Sequence, residues 1–276
     1  MRREEGRSRV LTALALAAAA TVAIYLINAP HQAFRIPSRV LGERRTVLEY
    51  LPASYQSSGQ SYPVLVLLDA TPRASIFGPS FYATAKRVNA LGAPIPEMIV
   101  VGVTNTDRLR DMIPVPDTSF PPSPGMAGDF LRFITDELMP TVAARYRTSG
   151  FRILYGGSDA GLFALYALTS APDAFEAVIA SSPSLGRCPA FMASRVSELF
   201  HDHPALVKTL FLVYGADEGP AVSQRVPEFA ALIERQRSGG FSLGVSRVAD
   251  GGHVPKSGLE DGLRFTFSSP APTSGR

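Results

Sequence analysis

Short apolar runs alternate with segments of helical spacing along most of this chain, and no other feature restricts its fold as much. Several runs are continuously apolar, as parallel strands buried on both faces are. The predicted strands are residues 45–50, 64–69, 98–103, 152–155, 177–181, 210–214 and 244–248, and the predicted helices are residues 81–91, 129–146, 160–169, 190–200 and 223–236. Because strands alternate with helices, we expect an α/β fold with a mostly parallel central sheet and helices on both faces.

The composition supports one folded domain and excludes several classes of protein. Of the 276 residues, 46% are hydrophobic and 18% are charged, which excludes disorder for most of the chain. The 27 lysines and arginines nearly balance 24 acidic residues, so bulk charge does not support nucleic-acid binding. A single cysteine, Cys188, excludes a disulfide framework. No long linker divides the chain, so residues 34–267 are predicted to form one domain and residues 268–276 a disordered tail.

The N-terminus predicts export. Arg2, Arg3, Arg7 and Arg9 precede residues 10–27, a stretch that contains no charged side chain. A basic leader before such a stretch is typical of a signal peptide, and the stretch is also long enough to remain as a membrane anchor with its arginines in the cytoplasm. Residues 1–33 are therefore predicted to be a signal peptide or an anchor that contacts the membrane, and the domain is expected to be periplasmic or otherwise extracytoplasmic.

A candidate nucleophile lies in residues 153–161, where a predicted strand is followed by a turn of small residues and then a helix. A nucleophile elbow places a serine on such a turn, and the residues two before and two after it must be small. Gly156 and Ala160 meet that demand around Ser158, although Ala160 replaces the second glycine of the G-x-S-x-G pattern. The pattern predicts that Ser158 is a catalytic nucleophile; the alternative is a serine that only caps the helix.

A serine nucleophile needs a histidine base and an acid that orients it. The predicted strand 210–214 runs into Asp217 and Glu218, and the strand 244–248 precedes a glycine-rich turn with His253. The chain order serine, acid, histidine is that of the α/β-hydrolases. His253 is predicted to be the base and Glu218 the acid, with Asp217 as the alternative acid.

Ester hydrolysis also requires hydrogen-bond donors for the oxyanion of the tetrahedral intermediate. The backbone amide of Asp159 directly follows the candidate nucleophile and is one predicted donor. The second donor is expected in the loop after strand 64–69, from the amide of Ala70 or Thr71, and the sequence leaves both open.

Two further segments follow at the same predicted edge of the sheet, where α/β proteins bind ligands. Asn105, Arg108 and Arg110 follow the predicted strand 98–103 and are candidate substrate-binding residues. Either arginine could bind a carboxylate or phosphate of a substrate, or could pair with an aspartate and brace the loop. The proline-rich residues 115–128 are predicted to be a lid or a surface loop.

Together these motifs resemble the Putative esterase family of the α/β-hydrolase superfamily, which includes bacterial siderophore esterases, esterase D-like enzymes and, more distantly, mycolyltransferases. The resemblance covers most of residues 45–267 and is carried, besides the triad, by residues 62–69, 95–103, 105–111 with Pro114, 137–140, 146–148, 182–185 and 261–265. It implies that Ser158 is the nucleophile and His253 the base. The chain departs from the family at Gly157, where a histidine is usual, at Ala160, where glycine is usual, and at Gly186, where an aromatic residue is common.

The sequence therefore predicts an exported serine esterase that hydrolyses a small-molecule carboxylic ester through an acyl-enzyme, with no cofactor and no metal. An acyltransferase that uses the same triad and a non-catalytic binding protein built on the esterase scaffold are the alternatives, because the triad does not distinguish water from an alcohol acceptor and a fold does not imply a function.

Overall fold

The computed structural model describes residues 32–74, 79–119, 121–249 and 251–268. The predicted export segment at residues 10–27 and nearly all of the predicted tail, from residue 269, lie outside these ranges. Within the described ranges, no helix is long and apolar enough to cross a membrane.

The described residues form an eight-stranded sheet with the strand order β1-β2-β4-β3-β5-β6-β7-β8. Its strands are β1 (Gln32–Ser38), β2 (Glu43–Tyr50), β3 (Tyr62–Leu67), β4 (Ile99–Val103), β5 (Thr148–Gly157), β6 (Ala177–Ser181), β7 (Thr209–Gly215) and β8 (Ser242–Val248). β1 pairs with β2, and β2 with β4, in antiparallel fashion, and every other pairing is parallel. The prediction of a mostly parallel sheet is confirmed. β1 was not predicted, because its first residues fall within the predicted N-terminal segment 1–33 and because it contains Pro37, which a strand tolerates only at an edge.

Helices cover both faces of the sheet, as predicted. They are α1 (Phe81–Asn89), α2 (Arg108–Met112), α3 (Ala127–Arg132), α4 (Met139–Arg145), α5 (Asp159–Ser170), α6 (Pro189–Asp202), α7 (Pro220–Ser223), α8 (Arg225–Gln236) and α9 (Gly258–Ser268), with short 3-10 turns at Ala53–Tyr55 and Leu185–Arg187. The buried apolar residues of α1 and α9 belong to one core cluster, and those of α3 to α6 and α8 belong to a second cluster on the opposite face.

The predicted helix 129–146 is not continuous. A π-helical segment, Phe133–Leu138, separates α3 from α4. Pro140 stands at the start of α4 and has no amide hydrogen, so the α-helical bond to the carbonyl of Asp136 cannot form. The wider turns of the π segment precede this missing bond.

Helix α9 was also not predicted, because its glycines lower its intrinsic helix propensity. The structure gives a reason for one of them: a Cβ atom at Gly262 would lie 2.6 Å from Cγ2 of Ile179, so the glycine lets α9 pack closely on β6.

The parallel strands direct their carboxyl ends to one edge of the sheet, and the predicted site residues follow those ends. β3 leads to Asp69 and Ala70, β5 to Ser158, β7 to Glu218 and β8 to His253.

Candidate active site

Ser158 stands on a strained turn between β5 and α5. Its backbone has φ +58° and ψ −122°, a conformation that a residue other than glycine adopts only where the surroundings enforce it. Its amide donates to the carbonyl of Ser181 at 2.9 Å. A Cβ atom at Gly156 would lie 2.1 Å from the carbonyl oxygen of Ala160, so only glycine fits there, whereas the methyl group of Ala160 is accommodated in the core. The local geometry is that of a nucleophile elbow.

The side chain of Ser158 lies beside Ser184. The two hydroxyl oxygens are 3.3 Å apart. Among the hydrogen bonds of the described residues, none joins Ser158 to His253. Catalytic hydrogen bonds of this kind often tighten only when a substrate is bound.

His253 forms a close pair with Glu218. Nδ1 of the imidazole lies 2.7 Å from Oε2 of the carboxylate. When the carboxylate accepts this bond, Nδ1 is the donor, and Nε2 of a neutral imidazole is then an acceptor. The Glu218 side chain is only 4% exposed, while that of His253 is 54% exposed. Asp217 is exposed, so of the two predicted acids Glu218 is the one beside the histidine.

Ser182, which was not among the predicted site residues, holds this pair in place. Its hydroxyl donates to Oε1 of Glu218 and accepts from the amide of Val254 at 3.0 Å. The amide of Gly215 donates to the same Oε1 at 2.7 Å. Ser182 is fully buried and has φ +45°. Its position directly after β6, at the same edge as the other site residues, is the signal that could have identified it.

The two predicted sources of the second oxyanion donor differ in the structure. The amide of Ala70 donates to the carbonyl of Val103 at 3.1 Å, so its hydrogen is already used and the prediction for Ala70 is corrected. The bond extends the pairing of β3 with β4 beyond the strand ends. Thr71 remains the predicted donor of this loop. The amide of Asp159 opens α5, where the first turn has no acceptor within the helix.

The carboxylate of Asp159 is held between two arginines. Nη1 of Arg108 lies 2.5 Å from Oδ2, and Nε of Arg187 lies 3.0 Å from Oδ1. Burial acts to raise the pKa of Asp159, but the hydrogen bond from Ser184 and the charges of both arginines outweigh it and lower that pKa. The residue that follows the candidate nucleophile therefore carries a negative charge.

The predicted substrate-binding residues contact internal partners. Nδ2 of Asn105 lies 2.7 Å from Oδ1 of Asp69, and Arg108 makes three hydrogen bonds of 2.9–3.1 Å to the same carboxylate. Arg110 turns away, with bonds of 2.8 Å to Glu43 and 2.9 Å to Asp111. Of the three, Arg108 is the one with hydrogen bonds to the residues that flank Ser158, and substrate contact by any of the three stays a prediction.

The loop 115–128, predicted as a lid or a surface loop, is hydrogen-bonded to Arg187, which also binds Asp159. Asp117 and Ser123 exchange backbone hydrogen bonds of 3.0 and 2.8 Å. Nη1 of Arg187 then donates to the Asp117 carboxylate at 2.6 Å and to the carbonyl of Pro121 at 3.2 Å.

Comparison with known proteins identifies a family for this chain. The family described as "Putative esterase" matches residues 38–245. The chain belongs to this family. It is 35% identical over 143 residues to the ferri-bacillibactin esterase BesA of Bacillus subtilis, covering 45% of this chain and 48% of that protein. It is 34% identical over 175 residues to the siderophore enterobactin esterase of Emericella nidulans, covering 56% of this chain and 55% of that protein. The chain thus spans about half the length of these curated relatives.

A solved structure of similar fold is consistent with this family. An IroE-like serine hydrolase from Shewanella oneidensis superposes with a TM-score of 0.76 at 28% identity, over 86% of this chain and 80% of that one.

One departure from the family pattern has a structural partner. A Cβ atom at Gly157 would lie 2.9 Å from Cγ1 of Val254, so the valine beside His253 occupies the room that the usual family histidine would need. Gly186 is different, because the nearest atom to a Cβ there, in Ala221, is 3.7 Å away.

Proposed function

We propose that this protein is a serine esterase that hydrolyses a carboxylic ester through an acyl-enzyme, with Ser158 as nucleophile, His253 as base and Glu218 as the acid. The observation that carries the proposal is the His253–Glu218 pair at 2.7 Å, which lies at the same sheet edge as the strained Ser158. Membership in the Putative esterase family supports the reaction class.

In the proposed mechanism, Oγ of Ser158 attacks the ester carbonyl carbon while Nε2 of His253 takes the hydroxyl proton. The oxyanion is bound by the amides of Asp159 and Thr71. The intermediate collapses when His253 returns the proton to the alcohol that leaves. Water then attacks the acyl-enzyme by the same route and releases the acid. Glu218 keeps the imidazole in the required tautomer and stabilises its charged form.

The relatives direct the choice of substrates. Because one of them is named a siderophore enterobactin esterase and the other a ferri-bacillibactin esterase, esters of these two kinds are the first natural substrates to test. The basic leader and uncharged stretch of residues 1–33 support an exported protein, as a cleaved signal peptide or a membrane anchor.

The test uses the purified full-length chain with a fluorophosphonate probe and p-nitrophenyl acetate. We expect stoichiometric labelling of Ser158, and loss of both labelling and hydrolysis in Ser158→Ala and His253→Ala. Glu218→Gln should lower kcat by about 10³-fold or more, because the wrong tautomer is then favoured. Asp217→Asn is the matched control and should stay within about twofold, as a surface substitution does.

The alternatives give different results in the same assay. A folded wild-type protein that does not react with the probe would refute the proposal and favour a non-catalytic binding protein. A new ester formed when glycerol is added as an acceptor would instead identify an acyltransferase.

A further inference from the structure

Arg108 contacts the chain on both sides of the candidate nucleophile. Its Nη1 lies 2.5 Å from the Asp159 carboxylate, and its Nη2 lies 3.5 Å from the carbonyl oxygen of Gly157. The guanidinium is thus attached to the residue before Ser158 and to the residue after it. No other arginine of the described residues has hydrogen bonds to both.

The other side of the same guanidinium holds the loop after β3. Nε and Nη2 bind both carboxylate oxygens of Asp69 at 2.9–3.1 Å, the two-pronged geometry that makes arginine–carboxylate pairs directional. Asp69 has φ +55°, a left-handed conformation that aspartate and asparagine adopt more readily than most residues. The next residues of this loop, Ala70 and Thr71, include the predicted second oxyanion donor.

The hydrogen bonds of Arg108 to Asp69 and to the elbow, the Arg108 link, therefore connect two residues with positive φ, Asp69 and Ser158, that follow different strands. The β3 loop and the elbow are 89 residues apart in sequence between these two positions, so their spacing depends on tertiary contacts. An oxyanion hole works only when its donors are fixed before the reaction, because reorganisation during the reaction costs energy.

The charges explain why the link is stable. Burial acts to lower the pKa of Arg108, but its hydrogen bonds to Asp69 and the charges of Asp69 and Asp159 outweigh it and raise that pKa. The Arg108 side chain is also only partly exposed, at 32%. With two carboxylates bound, its positive charge is compensated, and little of it is left for an anionic substrate.

We propose that Arg108 is a positioning residue that fixes the β3 loop to the nucleophile elbow and so sets the distance between the two oxyanion-binding amides. This inference rests on the proposed esterase function. It differs from a substrate-binding role because Arg108 acts through Asp69 and Asp159.

The test compares variants of the full-length chain on a neutral ester, p-nitrophenyl acetate, and an anionic one, p-nitrophenyl hemisuccinate. Arg108→Gln removes the link. Asp69→Asn weakens the same link from its other end and should preserve the fold, because asparagine tolerates a positive φ. Arg187→Gln is the matched control, because Arg187 binds the Asp159 carboxylate but has no contact with Asp69. Arg225→Gln controls for the loss of one surface charge.

We expect Arg108→Gln to lower kcat by about 10²-fold on both esters, the effect of losing one oxyanion donor, with KM changed less than about threefold. Asp69→Asn should lower kcat by about 10-fold, and Arg187→Gln by less than about fivefold. Arg108→Lys should recover only part of the lost kcat, since an ammonium group cannot bind both carboxylates with fixed geometry. The rate of fluorophosphonate labelling should follow kcat.

Other outcomes overturn the inference. A higher KM for the anionic ester alone, with kcat unchanged, identifies Arg108 as a substrate-binding residue. If Arg108→Gln and Arg187→Gln lower kcat equally, and adding Asp159→Asn restores kcat in both, the effect comes only from the charge of Asp159. If Arg108→Gln fails to fold, an unchanged kcat in Asp69→Asn refutes positioning. A wild-type protein that neither hydrolyses the esters nor reacts with the fluorophosphonate probe refutes the proposed function itself. An active wild type whose Arg108→Gln and Asp69→Asn variants keep the wild-type kcat refutes only this inference.

Discussion

Replacing Ser182 by alanine tests whether the buried hydroxyl holds the histidine–acid pair together. The variant loses a hydrogen bond to the charged Glu218, worth about 1.5–3 kcal/mol. It also leaves the amide of Val254 without its acceptor, at a cost of about 1–3 kcal/mol for a buried group. Val254 is half-buried, and Glu218 keeps its bond from Gly215, so the lower parts of both ranges apply. We expect the free energy of unfolding to fall by about 2–4 kcal/mol.

Ser194→Ala is the matched control, because Ser194 also donates to a glutamate, Glu198, at 2.9 Å, but on the exposed surface of α6. Its free energy of unfolding should change by less than about 0.5 kcal/mol. Both values come from urea titrations followed by circular dichroism, and esterase kinetics on the same samples should show kcat about 10- to 100-fold lower for Ser182→Ala alone. Equal stability and equal kcat in the two variants would refute the reasoning.

Three further substitutions test other parts of the site. Gly156→Ala should destabilise the fold by about 3 kcal/mol or more, measured by urea unfolding, because its methyl group would meet the Ala160 carbonyl oxygen at 2.1 Å. Gly157→Ala should reduce thermal stability, and adding Val254→Ala should restore most of the loss, because the two side chains compete for the same space. Asp159→Asn should make the free energy of unfolding depend less on pH in acid. The lowered pKa of Asp159 adds stability to the wild type, which is complete above the unfolded pKa of about 3.9 and is lost as the pH falls through the folded value.

Each of these has a result that contradicts it. Gly59→Ala is the control for Gly156→Ala, because no atom lies within 4 Å of a Cβ there, and equal stability of the two variants would contradict the steric argument. If the losses of thermal stability from Gly157→Ala and Val254→Ala simply add in the double variant, the two side chains do not compete for space. For Asp159, the difference in unfolding free energy between wild type and Asp159→Asn should shrink as the pH falls below about 4; a difference that stays constant from neutral to acid pH would contradict the assignment.

The strands were predictable because each is a local apolar run. The prediction for β6, residues 177–181, has the bounds of the observed strand, whereas β5 extends from Thr148 to Gly157, well beyond the predicted residues 152–155. Apart from Phe151, the added residues are polar or glycine. Thr148 pairs with β3, and Gly156 and Gly157 pair with β6, so pairing with neighbouring strands extends β5 beyond its apolar run. β1 likewise depends on a neighbour, because it is extended through its pairing with β2, and such pairing is not visible in a local sequence pattern.

The site was predictable in part. The elbow around Ser158 could be recognised because the small residues it requires are sequence neighbours. The sequence favoured Glu218 over Asp217 as the acid but left the choice open, since adjacent carboxylates of one loop can point in different directions. That direction is decided by Ser182, 36 positions away, which binds Glu218.

The sequence alone thus determined the α/β fold and the position of the candidate nucleophile, because apolar spacing and small-residue turns act over a few neighbouring residues. Only the tertiary structure decided that Glu218 faces His253, that the Ala70 amide is already used, and that Arg108 joins Asp69 to Asp159. These contacts join residues brought together by the crossovers of the sheet. Which charged and polar groups become partners there depends on packing, which no local pattern records.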